Sequence, residues 1–416
     1  MEKDKSFKSN FIWNILGTGL NAFNSLFFLM TVTRINGINE AGIFTLAFST
    51  ACILYVIGTY AGRVFQVTES KNNINDKEFI INRVISCILM MVTAIGYIII
   101  KKYDYYKALI FILVALYKCI EAFSDVLYGI MQKNDLLNEV GKSYFIKSLL
   151  SIVLFIIVDL FTHSIVSSLV TIIIIWISIL ILFDCKNTKK LIDKDEKVKK
   201  KNIIKIFKSG FFIFAMTFLG LYLLNAQKYA IDTFLTEDKQ TIFGIIVMPA
   251  TVMALVAQVL LHPYLTEIVN LYETNNIKGL KRIVNRMLIY VIGFGLLAIA
   301  CAYLLGIPVL NMIYGVDIGP YKMQLILILL SATLYNIGII YSSVLTTIRK
   351  TFIQFILYII ASIVAMITAD VLTKSEGIFG ATISYFIAMF TFFISYVIVQ
   401  NIEINKIKKI GETKNE

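Results

Sequence analysis

The sequence predicts an all-α polytopic membrane protein with about twelve transmembrane helices in two pseudo-repeated six-helix lobes. Three observations carry that reading. Of the 416 residues 58% are apolar and only 16% charged, with a mean hydropathy of +0.78, whereas a soluble domain is about 45–50% apolar and about 25% charged. The apolar residues gather in blocks of roughly 20, the length that a spanning helix needs. The basic residues fall between the blocks, where membrane topology places them. Together these exclude a soluble enzyme, a nucleic-acid-binding domain and a disordered scaffold, despite a net charge of +12.

The first ten residues, MEKDKSFKSN, are charged and run straight into a full-length apolar segment with no small-residue cleavage site. The first helix is therefore expected to stay in the membrane. Apolar blocks follow at 11–33, 41–62, 79–100, 108–130, 144–162, 165–183, 207–232, 241–263, 284–305, 321–346, 351–372 and 378–400. Their lengths suit helices rather than barrel strands of about ten residues. No connection between them is long enough for a separate soluble domain. Cys52, Cys87, Cys119, Cys185 and Cys301 are scattered without pair spacing, which implies neither a disulfide framework nor a zinc site.

With the N-terminus inside, inward segments hold 30 Lys and Arg and outward segments hold 7. The positive-inside rule then places both termini in the cytoplasm. The basic loop KKYDYYK at 101–107 is the one local conflict. The densest basic stretch, 186–201, lies between blocks six and seven and reads as a solvated linker against anionic cytoplasmic lipid, with docking to a specific partner as the alternative. It divides the chain into an N-terminal lobe (1–184), a linker (185–205) and a C-terminal lobe with a short cytoplasmic tail (206–416). The halves look related: FKSNF at 7–11 matches FKSGF at 207–211, and GIF at 42–44 matches TIF at 241–243. Repeats with an even number of spans run parallel, and transporters built this way bind substrate between halves that rock alternately.

No covalent chemistry is visible. GKS at 141–143 lacks the earlier glycine of a phosphate-binding loop, since Leu136 occupies that position. His163 and His262 have no ligand-spaced companions, so no metal site is expected. What the chain offers instead is polar groups within apolar blocks, which are costly in lipid and face a cavity or a partner helix. Asn14, Gly17, Asn21 and Asn24 share one face of block one, as a wet cavity wall or as helix-packing contacts. Lys118, Glu121 and Asp125 form one stripe at i, i+3 and i+7 in block four. Adjacency favours a Lys118–Glu121 pair. That leaves Asp125 as a surplus carboxylate suited to ion coupling, with Glu121 beside it and Asp232 as the next candidate. Asn225, Lys228 and Asp232 share a face at the end of block seven, where Lys228 either lines a cavity or snorkels. Arg63 closes block two as a cavity or interface residue.

At this point the pattern resembles a known family. RINGINEAGIFTLAFS at 34–49, IDTFLTEDKQTIFGI at 231–245, HPYLTEI at 262–268, IYGVD at 313–317 and GIFGATISY at 377–385, in twelve spans around a basic linker, are similar to the oligosaccharide flippases of the multidrug/oligosaccharidyl-lipid/polysaccharide exporter superfamily. The resemblance implies a transporter, not an enzyme and without a cofactor. It would move a polyprenyl-diphosphate-linked oligosaccharide across the bacterial cytoplasmic (inner) membrane for O-antigen or capsule synthesis. It also implies membrane lipids as surroundings, and polysaccharide polymerase and chain-length machinery as candidate partners. In the cationic cavity of such a protein, Arg63, Lys118, Lys147 and Lys228 are candidates for the diphosphate, and the Asn, Tyr and Ser residues of blocks one (Asn14, Asn21, Asn24), four and ten for sugars, with Asn225 a further cavity residue. One departure is that Phe214, Leu221 and Leu224 stand at the repeat equivalents of the Asn stripe, so the two halves of the cavity are expected to differ. The competing readings are a cation-coupled multidrug exporter of the same superfamily and a lipid-II flippase.

Overall fold

The computed structural model describes residues 2–69, 74–193, 195–274 and 276–412. They form two compact units, Met1–Phe218 and Leu219–Glu416. In the first, α1 (Glu2–Ile35), α2 (Ile38–Thr59), α3 (Asp76–Lys101), α4 (Tyr105–Lys133), α5 (Leu137–Thr162) and α6 (Ile165–Ile179) follow in order. A short helix, Gly62–Glu69, extends α2, and a π-helical stretch, Leu180–Cys185, carries α6 on to Lys186–Thr188. Then come α7 (Lys200–Phe234), which the two units share, α8 (Glu237–Glu273), α9 (Ile277–Cys301, continued to Tyr314) and α10 (Lys322–Thr347). A helical stretch, Thr351–Glu412, is broken at Gly377 (φ 60°, ψ −135°) into α11 and α12. That backbone conformation is open to glycine and strained for other residues.

All twelve apolar blocks are helical, and the described residues contain no strand. Ten helices are long and apolar enough to cross a membrane among the described residues. The stretch containing α11 and α12 counts once there, and α4, with three ionisable residues in its middle, is not among the ten. Several helices overrun their apolar blocks: α7 begins at Lys200 and α8 continues to Glu273. Hydropathy marks only the apolar part of a helix, while Lys, Glu and Gln sustain helix beyond it.

The outer surface is apolar like the core, unlike that of a soluble protein. On α3 the buried stripe is Phe79, Asn82, Arg83, Ser86, Cys87 and Met90, while Ile88, Val92, Ile95 and Ile99 are exposed. Polar groups face the interior and aliphatic groups face outward, as a bilayer solvent requires. Within the first unit α4 is central, packed against α2, α3, α5 and α6. Phe28 of α1, Tyr117 of α4, Phe155 of α5 and Trp176 of α6 interlock, with ring centroids 4.6 Å apart for Phe28–Phe155 and 5.3 Å for Tyr117–Trp176. In the second unit α10 packs against α8, α9 and the α11–α12 stretch. Its core includes Leu280, Met287, Ile340 and Val344.

The tightest crossing joins α1 to α5 through two glycines. A Cβ on Gly141 would lie 2.3 Å from the backbone of Trp13, and one on Gly17 would lie 2.1 Å from the Gly141 carbonyl oxygen. Backbone cannot move aside as a flexible side chain does, so Gly141→Ala is expected to cost at least the usual overpacking penalty of about 1–3 kcal/mol. Gly19, two residues along, has nothing within 4 Å of its Cβ position, and Gly19→Ala should leave the melting temperature unchanged or raised. Thermal unfolding of both variants in detergent tests the pair; equal melting temperatures would refute this account of the crossing.

Candidate functional site: a charge network inside the first unit

The polar stripe of α4 (Lys118, Glu121, Ser124, Asp125 and Tyr128) organises three ion pairs in the interior of the first unit. In the first, Lys118 Nζ lies 2.7 Å from Glu121 Oε2, with its ammonium 4.9 Å from the centre of the Phe48 ring. The α1 asparagines complete it. Asn21 donates to Glu121 Oε1 at 3.0 Å, Asn24 donates to Asn21 at 3.1 Å, and Ser148 of α5 donates to Asn21 at 3.2 Å. The expected Lys118–Glu121 contact is therefore present, and Asn21 and Asn24 belong to it.

The second pair changes the reading of Asp125. Arg83 Nη2 of α3 approaches Asp125 Oδ2 at 3.1 Å, and Arg63 Nε lies 3.9 Å from Asp125 Oδ1. Asp125 is thus not the surplus, unpartnered carboxylate expected from the α4 stripe alone. Its partners come from α3 and from the short helix after α2, which the spacing along α4 does not reveal. Arg83 also donates to the Gly58 carbonyl at 3.3 Å, one of the acceptors that a helix end leaves without a partner. That end is abrupt: Tyr60, Ala61 and Gly62 have φ of 25°, 65° and 71°. Non-glycine residues in this region cost roughly 1–3 kcal/mol each and persist only where the surroundings fix them. The Arg83 bridge to both Gly58 and Asp125 is such a fixing contact.

The third pair is sealed. Lys147 Nζ of α5 lies 2.5 Å from Asp184 Oδ2, and neither side chain has any exposed surface. Ser124 and Tyr128 accept from the same ammonium at 2.8 and 2.9 Å, and Ser143 donates to Asp184 at 2.7 Å. Asp184 lies in the π-helical stretch after α6. A π turn inserts a residue and rotates the rest of the helix beyond it, which turns an end-of-helix carboxylate inward. Lys147 consequently has no surface to present to a substrate.

Across this network the cations Arg63, Arg83, Lys118 and Lys147 outnumber the anions Glu121, Asp125 and Asp184 by one. The least covered of the seven is Arg63, whose side chain is 24% exposed and whose Nη1 is buried without a hydrogen-bond partner. The surplus charge is positive, the reverse of what the α4 stripe alone suggests. The sequence reading does not single out Arg83 or Asp184. Arg83's signal is its place on the buried stripe of α3; Asp184 gives none, because the π turn is not written in LILFDC.

The other expected residues lie apart from this network. Asn14 sits at the α1–α5 glycine crossing, with its backbone oxygen accepting from Thr18 at 2.5 Å. Asn225, Lys228 and Asp232 are half-buried on the part of α7 belonging to the second unit, and the Asn225 amide is satisfied by the Leu221 carbonyl of its own helix at 2.9 Å. The interior of the second unit includes neutral groups: Gln227 donates to Ser384 at 3.3 Å, and Ser384 lies 2.9 Å from Thr368; its buried carboxylate Glu403 pairs with the partly exposed Lys350 at 2.9 Å.

No family model matches the chain. It is 24% identical over 400 residues to the capsular polysaccharide biosynthesis protein CapF of Staphylococcus aureus, covering 94% of this chain and 98% of that protein. Among solved structures it is similar to a multidrug resistance MATE family transporter of the MOP superfamily in an inward-facing conformation (TM-score 0.73, 14% identity, 95% of this chain and 96% of that one). It is also similar to the Vibrio cholerae MATE transporter VcmN in the bent form (TM-score 0.62, 12% identity, 97% and 98%). The fold is that of the MATE transporters.

The sealed pair gives a test of the network. Removing one partner of a buried pair costs about 3–5 kcal/mol, because it strands the other charge. Lys147→Met and Asp184→Leu should each be strongly destabilising, and the double variant should lose less than the two singles combined. Equilibrium unfolding of the four proteins measures this; additive losses would show that the pair is not coupled.

Proposed function

We propose that this protein translocates a polyprenyl-diphosphate-linked oligosaccharide across the membrane by alternating access, without nucleotide hydrolysis, in the assembly of a surface polysaccharide. The observation that carries the proposal is the surplus cation. Arg63 is partly exposed at the edge of a buried network with one positive charge too many. A guanidinium suits a diphosphate oxygen pair, and Arg63 Nη1 has no hydrogen-bond partner. The same surplus disfavours a cationic drug, which tells against the multidrug-exporter reading. The likeness to CapF, a capsular polysaccharide biosynthesis protein, points the same way.

In this scheme the diphosphate competes with Asp125 for Arg63, whose contact of 3.9 Å is the loosest of the ion pairs in the network. Asp125 remains with Arg83, and a proton taken up by Asp125 as Arg63 turns to substrate would couple transport to an ion gradient. Glu121 is already shared between Lys118 and Asn21 and serves as the second coupling candidate in this unit, with Asp232 the candidate in the other. Asn21, half-buried, offers an amide for sugar, whereas Asn24 and Ser148 are buried behind it and hold it in place. Lys228 and Asn225 are the corresponding groups of the second unit.

Arg63→Gln should reduce transport at least tenfold while the protein still inserts and melts near the wild-type temperature, and Arg63→Lys should restore part of it. Asp125→Asn should both lose transport and melt lower, because it strands Arg83. The readout is surface polysaccharide in a deletion strain carrying each variant, with lipid-linked precursor measured inside. Normal surface polymer with Arg63→Gln would remove the proposed diphosphate contact, and normal polymer in the deletion strain itself would remove the function. For topology, a reporter fused after Lys190 should register cytoplasm and one after Asp317 the outside; either inverted result refutes the orientation.

A further inference from the structure

The segment joining α6 to α7 is short, cationic and held in place. From Lys186 to Lys208 the chain carries ten lysines against Asp193, Asp195 and Glu196, a net charge of +7. Lys194 lies outside the described residues; the other nine lysines are all exposed. Yet the segment is docked. Leu191 and Ile192 pack on the cluster around Ile74, Phe79 and Ile206. The Asn75 side chain donates to the Lys197 carbonyl at 3.1 Å, and Lys77 Nζ donates to the Glu196 carbonyl at 3.0 Å.

Glu78 is the fastener. It has no exposed surface, and its carboxylate accepts from the Asn75 backbone at 3.0 Å, the Lys199 backbone at 2.7 Å and the Asn202 amide at 2.9 Å. One buried carboxylate therefore ties the start of α3 to the start of α7. Carboxylates are favoured at helix N-termini, where unpaired N–H groups converge, and here two such ends share one acid.

The docked segment cannot leave the membrane surface. Only residues 189–199 separate two helices that are long and apolar enough to span. Large apolar side chains are exposed on either side of it, Ile181 and Leu182 before and Phe211 and Phe212 after, with Val198 and Ile204 exposed among the lysines. Ammonium groups thus stand beside aliphatic and aromatic surface, matching the boundary between phosphate and acyl chain.

We propose that the docked linker is a binding surface for anionic phospholipid headgroups of the adjoining leaflet, and that Glu78 holds it in position for them. The segment is held through the backbone of Lys197 and Lys199, so the exposed ammonium groups remain available to phosphodiester oxygens. A zwitterionic headgroup carries no net charge to match. The lipid contact is independent of which molecule is transported.

The test uses the full-length protein in non-ionic detergent with equal amounts of phosphatidylglycerol and phosphatidylcholine, and native mass spectrometry to count retained lipids. The wild type is expected to favour phosphatidylglycerol by about tenfold or more, given the attraction of each lysine to an anionic surface. The surface variant carrying Lys197→Gln, Lys199→Gln, Lys200→Gln and Lys201→Gln should lose most of that preference while melting like the wild type. Glu78→Gln should weaken it with every lysine still present. Equal retention of the two lipids by the wild type, or an undiminished preference in the four-lysine variant, would overturn the proposal. So would polyprenyl diphosphate displacing phosphatidylglycerol from the wild type but not from the four-lysine variant, which would make the surface a station for that lipid instead.

Discussion

A charge inside a membrane bundle has to be neutralised and hydrogen-bonded, because neither water nor lipid will do it. The first unit meets that constraint through one helix, apart from the surplus charge at Arg63. Glu121, Ser124, Asp125 and Tyr128 lie along α4 at helical spacing; Glu121 and Asp125 reach different neighbours, and Ser124 and Tyr128 share a third. Asn21 comes from α1, Arg83 from α3 and Lys147 from α5. The helix order around α4 is therefore also an order of charge partners, and exchanging two neighbouring helices would leave several groups stranded at once. Buried polar networks of this kind select a single arrangement when every member is satisfied.

Helix number, the identity of the spans and the inward stripe of α4 are all legible in the sequence, because each depends on local composition and on a 3.6-residue period. The Lys118–Glu121 contact is legible for the same reason, since both partners lie on one helix. The partner of Asp125 is not, because that choice depends on which helices adjoin α4, and no spacing along α4 encodes it. Arg83 and Lys147 are hidden differently. Both stand near the edges of apolar blocks and so count as inward loop charges, although both are buried within helices. Without them the inward count is 28 against 7 outward, so the inward excess of positive charge persists. Asn14 shows the limit of a shared face: it lies on the Asn21–Asn24 stripe, but the Gly17–Gly141 approach sets it at a crossing where backbone contact dominates.

The two units handle polarity differently. The first concentrates several ion pairs in its interior, whereas the second has amides and hydroxyls such as Gln227, Ser384 and Thr368 and pairs its buried Glu403 with a partly exposed lysine, Lys350. Leu221 and Leu224, on the part of α7 that belongs to the second unit, are apolar as well. A neutral interior tolerates small shifts of register at little electrostatic cost, while an ion-paired one does not.

The pairs also impose a timetable on synthesis. Lys118 and Glu121 emerge together, but Arg83 precedes Asp125 by 42 residues and Lys147 precedes Asp184 by 37. At roughly 5–20 residues per second, the growing chain holds each of these cations without its anion for roughly 2–8 s. During that interval the lone charge has to be accommodated by the insertion machinery or at the water interface. Release of α3 into lipid is thereby tied to the arrival of α4, and release of α5 to the completion of the π turn after α6, so the first unit enters the bilayer as a set of interdependent helices.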